Sequence, residues 1–112
     1  MMDALTAWSL YRQLEGLEDT LKQIDPRDQL RAAFANQESF NNILGQVREG
    51  CAEMPDYVRS FSHIEPSGIQ VAAGDRYSFP RFLAKVLMLR QALRAWLELT
   101  LSPEEKVKLG FV

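Results

Sequence analysis

The residues able to do chemistry are few and scattered. His63 is the one imidazole and Cys51 the one thiol of the chain, and the pattern read below places them on different elements. A zinc site needs several His, Cys or carboxylate ligands at characteristic spacing, and none stands out here. A Cys–His nucleophile pair needs a base within hydrogen-bond reach and a third group to orient it, and no motif brings these two together. Cys51 therefore reads as a small core residue on a helical seam, and His63 as a surface or partly satisfied loop residue. The glycines form neither a GxGxxG nor a GxxxxGK pattern, so no backbone cradle for phosphate is expected. No cofactor or metal is expected.

Charged residues offer two further constellations. The carboxylate pairs Glu15/Glu18/Asp19, Glu49/Glu53 and Glu104/Glu105 resemble acid–base sets only in number. Such work needs a carboxylate in a pocket that shifts its pKa, and these occupy polar helical positions or a cap, so a solvated face is expected. Arg81/Lys85 and Arg90/Arg94 are i, i+4 pairs, but at 100° per residue they project from roughly opposite sides of one helix. Arg90 and Arg94, extended by Arg76, Lys106 and Lys108, are the residues expected to contact an anion or nucleic acid if the protein does so. Pairing with acids of the first two helices, or a solvated rim, is the plainer expectation. Arg59 and His63 enclose only Ser60-Phe61-Ser62, too few residues for the Arg-and-His signature of the helical HEPN ribonucleases, and no family resemblance follows.

The chain as a whole sets the class. Its 112 residues suit one domain, 1–112, large enough for a core without covalent staples. A single cysteine cannot form an internal disulfide, which favours a reducing compartment, and the start MMDALTAWSLYRQ has no basic region followed by an apolar run, so a cytoplasmic protein is expected. The net charge of −2 hides an asymmetry: residues 1–74 carry six Lys/Arg against eleven Asp/Glu, and residues 75–112 seven against four. An acidic first half does not supply the concentrated basic face of a polyanion binder.

These residues must be positioned by helices. Between Pro80 and Leu101, Phe82, Val86, Leu89, Leu93, Trp96, Leu97 and Thr100 recur at three- and four-residue steps and define a core seam. Ala84, Met88, Ala92, Ala95 and Leu99 form a second apolar side, and its small residues would let a neighbouring helix approach closely. A helix apolar on two sides is a central or an interface helix, and its interspersed charges exclude a membrane span.

The other elements follow in chain order. Asp3 is placed to cap a helix from Ala4 to Ile24 with the seam Leu10, Leu14, Leu17, Leu21 and Ile24, Trp8 beside it, and Gly16 either solvated or at a close crossing. Asp25-Pro26 reads as a stop followed at once by a start, so the next helix is an antiparallel neighbour. That helix runs from Pro26 to Met54 on Leu30, Ala33, Gln37, Phe40, Leu44, Val47, Cys51 and Met54, flanked by Phe34 and Ile43. One long helix and a helix bent near Gln37 both fit. Residues 55–79 break the rhythm as an irregular arm, in which a short β-hairpin and a helical turn followed by a loop both fit, and residues 65–76 are expected to be the most mobile internal stretch. Ser102-Pro103-Glu104-Glu105 reads as a capping box with Pro at the first helical position, Gly110 as the stop, and Val107, Leu109 and Phe111 as folding back onto the core.

The expected fold is all-α: a small bundle of three main helices plus a short C-terminal one, with the arm at 55–79. The expected function is a non-enzymatic protein–protein interaction module, an adaptor or regulator. It self-associates as a homodimer through Ala84, Met88, Ala92, Ala95 and Leu99, or binds a protein partner; a monomer in which the 55–79 arm folds over that face is the competing reading. A nucleic-acid-associated regulator using the basic C-terminal third is the alternative.

Overall fold

The computed structural model of the chain describes residues 3–50, 64–68 and 78–111. Among them the fold is all-α, with no strand. Helix α1, Ala4–Lys22, begins where Asp3 predicts it: Asp3 Oδ1 accepts the Thr6 backbone N–H at 2.8 Å and Oδ2 the Thr6 hydroxyl at 3.1 Å. It stops two residues short of Ile24. Asp25 then accepts the Arg27 N–H at 2.9 Å, Pro26–Asp28 form one 3-10 turn, and α2 follows as Gln29–Gly50. Pro26 thus opens a turn that leads into α2, its missing N–H being one of those that a helical start leaves unpaired.

Helix α2 is continuous through Gln37, so no fresh helix starts at Ser39. The Asn36 amide, a potential breaker, donates to the Ala32 carbonyl at 2.7 Å within the helix, and Phe40, Leu44 and Val47 downstream are all buried, so tertiary packing outweighs the weak local propensity there. Helix α3, Ser78–Thr100, is the long element on which the others pack, and α4, Pro103–Leu109, closes the chain. The predicted capping box of α4 is present in full, with the Glu105 N–H donating to Ser102 Oγ at 3.2 Å and the Ser102 N–H to Glu105 Oε1 at 3.1 Å. Gly110 ends it at φ 71°, and the Phe111 and Gly110 N–H groups donate to the Lys106 and Val107 carbonyls, a Schellman closure.

Phe82, Val86, Leu89, Leu93, Trp96 and Leu97 of α3 are all buried, against Ala7, Leu10, Leu14 and Leu21 of α1 and Ala33, Phe40, Leu44 and Val47 of α2. Helix α3 meets α1 most extensively, then α2, and α1 and α2 touch each other least. Glu18 pairs with Arg90, Tyr11 with Arg94, and Trp8 with Phe111 beyond the end of α3, so α1 and α3 run antiparallel. The Phe40 and Phe82 rings meet edge to face at 5.6 Å, joining α2 to the start of α3.

Several positions depart from the predicted pattern. Leu17 is only partly buried, and Phe34 is exposed on α2. Val107 does not fold back: it is 83% exposed, and Leu109 and Phe111 alone turn inward from the C-terminal segment. Gly16, by contrast, takes the solvated one of its two expected placements, with nothing within 4 Å of where a Cβ would stand. The long predicted helix end at 51–54 and both readings of the 55–79 arm fall largely on residues 51–63 and 69–77, outside the described residues.

The described part of the arm, residues 64–68, is strapped down. Ile64 is buried, and the Asn41 side chain pairs with the Ser67 backbone in both directions, accepting its N–H at 2.7 Å and donating to its carbonyl at 3.1 Å. Arg48 of α2 donates to the Ile64 carbonyl, and Lys85 of α3 to that of Pro66 at 3.1 Å. Side chains from two helices thus pair with the backbone of Ile64, Pro66 and Ser67.

Candidate functional site

The residues predicted for association lie to one side of the buried seam of α3. Phe82, Val86, Leu89, Leu93, Trp96 and Leu97 occupy one arc, and Ala84, Met88, Ala92, Ala95 and Leu99 project beside it, with Ala92 packed against the core. Met88 is 48% and Leu99 71% exposed, Ala84 is exposed, and Ala92 and Ala95 are partly exposed. The outcome is an outward helix face made of small residues with two large apolar side chains in water. Large apolar side chains on α1, α2 and α4 are also exposed: Leu5, Phe34 and Val107.

Of the predicted anion-contacting residues, Arg90 and Arg94 make contacts within the chain. Arg90 forms an ion pair with Glu18 of α1, and Glu18 also accepts from Lys22 at 2.7 Å. Glu18 is buried, which corrects its placement on a solvated face. The α1–α3 contact carries it inside, where two cations compensate its charge. Arg94 donates to the Tyr11 hydroxyl at 2.9 Å, lies 3.6 Å from Glu98 and holds its guanidinium 4.8 Å from the centre of the Phe111 ring. The hydrogen bond to Tyr11 holds the Arg94 guanidinium charged above its usual range, with burial opposing and Tyr11, Glu98 and Glu15 supporting it. Both arginines thus serve contacts within the chain. Lys106 is partly buried and Lys108 exposed on α4. Arg76 lies outside the described residues, as do Cys51 and His63.

Among the described residues no group of three His, Cys, Asp or Glu side chains could hold a metal ion, and no helix is long and apolar enough to cross a membrane. Of the remaining carboxylates, Glu15 pairs with Arg12 at 3.0 Å, and Glu104 and Glu105 stand in the first turn of α4, where the helix dipole favours them.

One cluster was not anticipated. Trp8 and Tyr11 stack at 5.6 Å, Phe111 and Trp8 meet edge to face at 5.8 Å, and the Arg12 guanidinium stands 5.9 Å from the centre of the Trp8 ring. The sequence holds a partial signal for it: Trp8 and Tyr11 are i, i+3 neighbours, and a Schellman closure at Gly110 turns the following apolar residue back toward the structure. Nothing local pairs that residue with Trp8. In comparisons with protein-family models, with curated proteins and with solved structures, nothing matches this chain.

Proposed function

We propose that the chain is a non-enzymatic helical interaction module of a reducing, cytoplasmic compartment, and that it forms a homodimer through the outward face of α3. The observation that carries this reading is that face: Ala84, Met88, Ala92, Ala95 and Leu99 lie beside a buried seam, with Ala84, Met88 and Leu99 solvent-exposed. Water is a poor solvent for two large apolar side chains on one helix, and contiguous apolar patches mark interfaces. The alanines lower the height of the helix surface between them, so a second helix can come close while Met88 and Leu99 supply the larger contacts. Across a two-fold axis the patch meets itself, the commonest closed arrangement of soluble oligomers.

Light scattering after size exclusion tests the proposal. Wild type is expected at twice the monomer mass of 12.8 kDa at micromolar concentration, and Met88→Glu at the monomer mass. A wild-type monomer defeats the dimer, and a dimer indifferent to Met88→Glu moves the interface elsewhere. The nucleic-acid alternative loses support because Arg90 and Arg94 are engaged within the chain. A mobility shift with DNA or RNA that weakens steeply with salt would revive it.

A further inference from the structure

Helix α4 is attached unlike the other helices. It holds no buried residue, and beyond its immediate chain neighbours no Cα of it comes within 8 Å of another described helix. Leu101 is still buried and bonded to the last turn of α3 through the Leu97 carbonyl, so the segment departs at Ser102, an extended residue followed by Pro103. What holds it down is its far end: Leu109 and Phe111, both partly buried against the core.

Phe111 is held by recognition contacts. Its ring meets the Trp8 ring edge to face at 5.8 Å and the Arg94 guanidinium at 4.8 Å. The receiving surface is itself ordered: Trp8 stacks on Tyr11, and Tyr11 accepts the hydrogen bond that fixes Arg94. An angled aromatic neighbour and a cation held over a ring's face select an aromatic side chain, because the ring's negative face attracts the guanidinium and the ring pair gains beyond its burial. An aliphatic residue of equal volume would satisfy neither contact.

We propose that residues 103–111 are a self-ligand. Helix α4 is a latch that closes through Phe111 on an aromatic-binding surface made by Trp8, Tyr11 and Arg94, and the open surface accepts the same tail presented by a second copy of the chain. Opening is rotation about Ser102 and disturbs no buried side chain of α4, since it has none. The proposal does not depend on the α3 face, and its readout lies on α1.

Tryptophan quenching tests it. The chain has two tryptophans; Trp96 is fully buried, leaving half-buried Trp8 as the reporter. In full-length Phe111→Ala, acrylamide quenching of the accessible tryptophan is expected to rise by about twofold as the covering ring is lost. Helix content and cooperative thermal unfolding are expected to persist. A synthetic peptide with the sequence of residues 102–111, added to that variant at millimolar concentration, should restore the protection. The same peptide with Ala at the position of Phe111 should not. Unchanged quenching in Phe111→Ala, a response that survives Trp8→Phe, loss of cooperative unfolding, or a peptide without effect would each overturn the proposal. In the last two cases the tail is integral packing and its seat is not a binding surface.

Discussion

Leu93 has no solvent exposure and sits in the buried α3 arc between Leu89 and Trp96. Leu93→Ala should lower stability by about 2–5 kcal/mol, the transfer term plus that of the cavity left behind, and a urea midpoint close to wild type would show that neighbouring side chains do not depend on it. Glu18 sets a different kind of constraint. Its side chain is 8% exposed and that of Arg90 22%, so Glu18→Gln strands a cation that water reaches only partly. A cost of about 2–3 kcal/mol is expected, below that of fully buried pairs because Arg90 keeps some solvent. The double variant with Arg90→Met should cost less than the two single changes summed, and additivity in that cycle would mean that the pair contributes no coupling.

At the scale of elements, the helix ends carry the testable chemistry. Backbone and hydroxyl hydrogen bonds from Thr6 hold the Asp3 carboxyl below its usual pKa, and those from the Arg27 backbone and side chain do the same for Asp25. A depressed pKa means that the folded chain binds the proton less readily than the unfolded one. Each cap therefore stabilises fully above about pH 4 and loses its contribution as pH falls through the lower folded value. Asp3→Asn keeps a capping acceptor but cannot titrate. Protection of the Thr6 amide against exchange should fall on acidification in wild type and stay level in the variant, and a parallel fall in both would remove Asp3 as the cause. Within the helices, Gly16 and Gly45 have open space where a Cβ would stand, so Gly16→Ala and Gly45→Ala should each add about 0.5–1 kcal/mol, seen as a raised melting temperature. Gly110→Ala should lower it, because φ 71° is a left-handed conformation that costs an L-residue about 1–2 kcal/mol.

For the whole molecule, α3 is at once the centre of the core and part of the surface. The Cα extents are 47 × 26 × 16 Å and the radius of gyration is 14.8 Å, against about 13 Å for a typical domain of this length. A layer this thin leaves the side of α3 away from α1 and α2 without a covering helix among the described residues. If a second copy covers it, folding and association are linked, and the thermal midpoint should rise with protein concentration. Met88→Glu should abolish that dependence, and a wild-type midpoint constant over a hundredfold dilution would argue for a monomer.

The sequence by itself determined what rests on neighbours within four residues. The Asp3 cap, the Ser102–Glu105 box, the Gly110 stop and the buried seam from Phe82 to Leu97 are all legible, because caps and helical periodicity are local. Of the candidate association face, the pattern marked the positions, and the structure shows Ala84, Met88 and Leu99 exposed and Ala92 packed against the core. Tertiary structure decided what joins distant positions. Arg94 reaches Tyr11 across 83 residues and Asn41 pairs with Ser67 across 26, contacts that exist only once the α1–α3 and α2–α3 registers are set. For the same reason Glu18 became a buried partner of Arg90, Phe111 found Trp8, and α2 runs unbroken through Gln37. A polar side chain's local pattern says that it can be solvated, and only the helix packed against it decides whether it is.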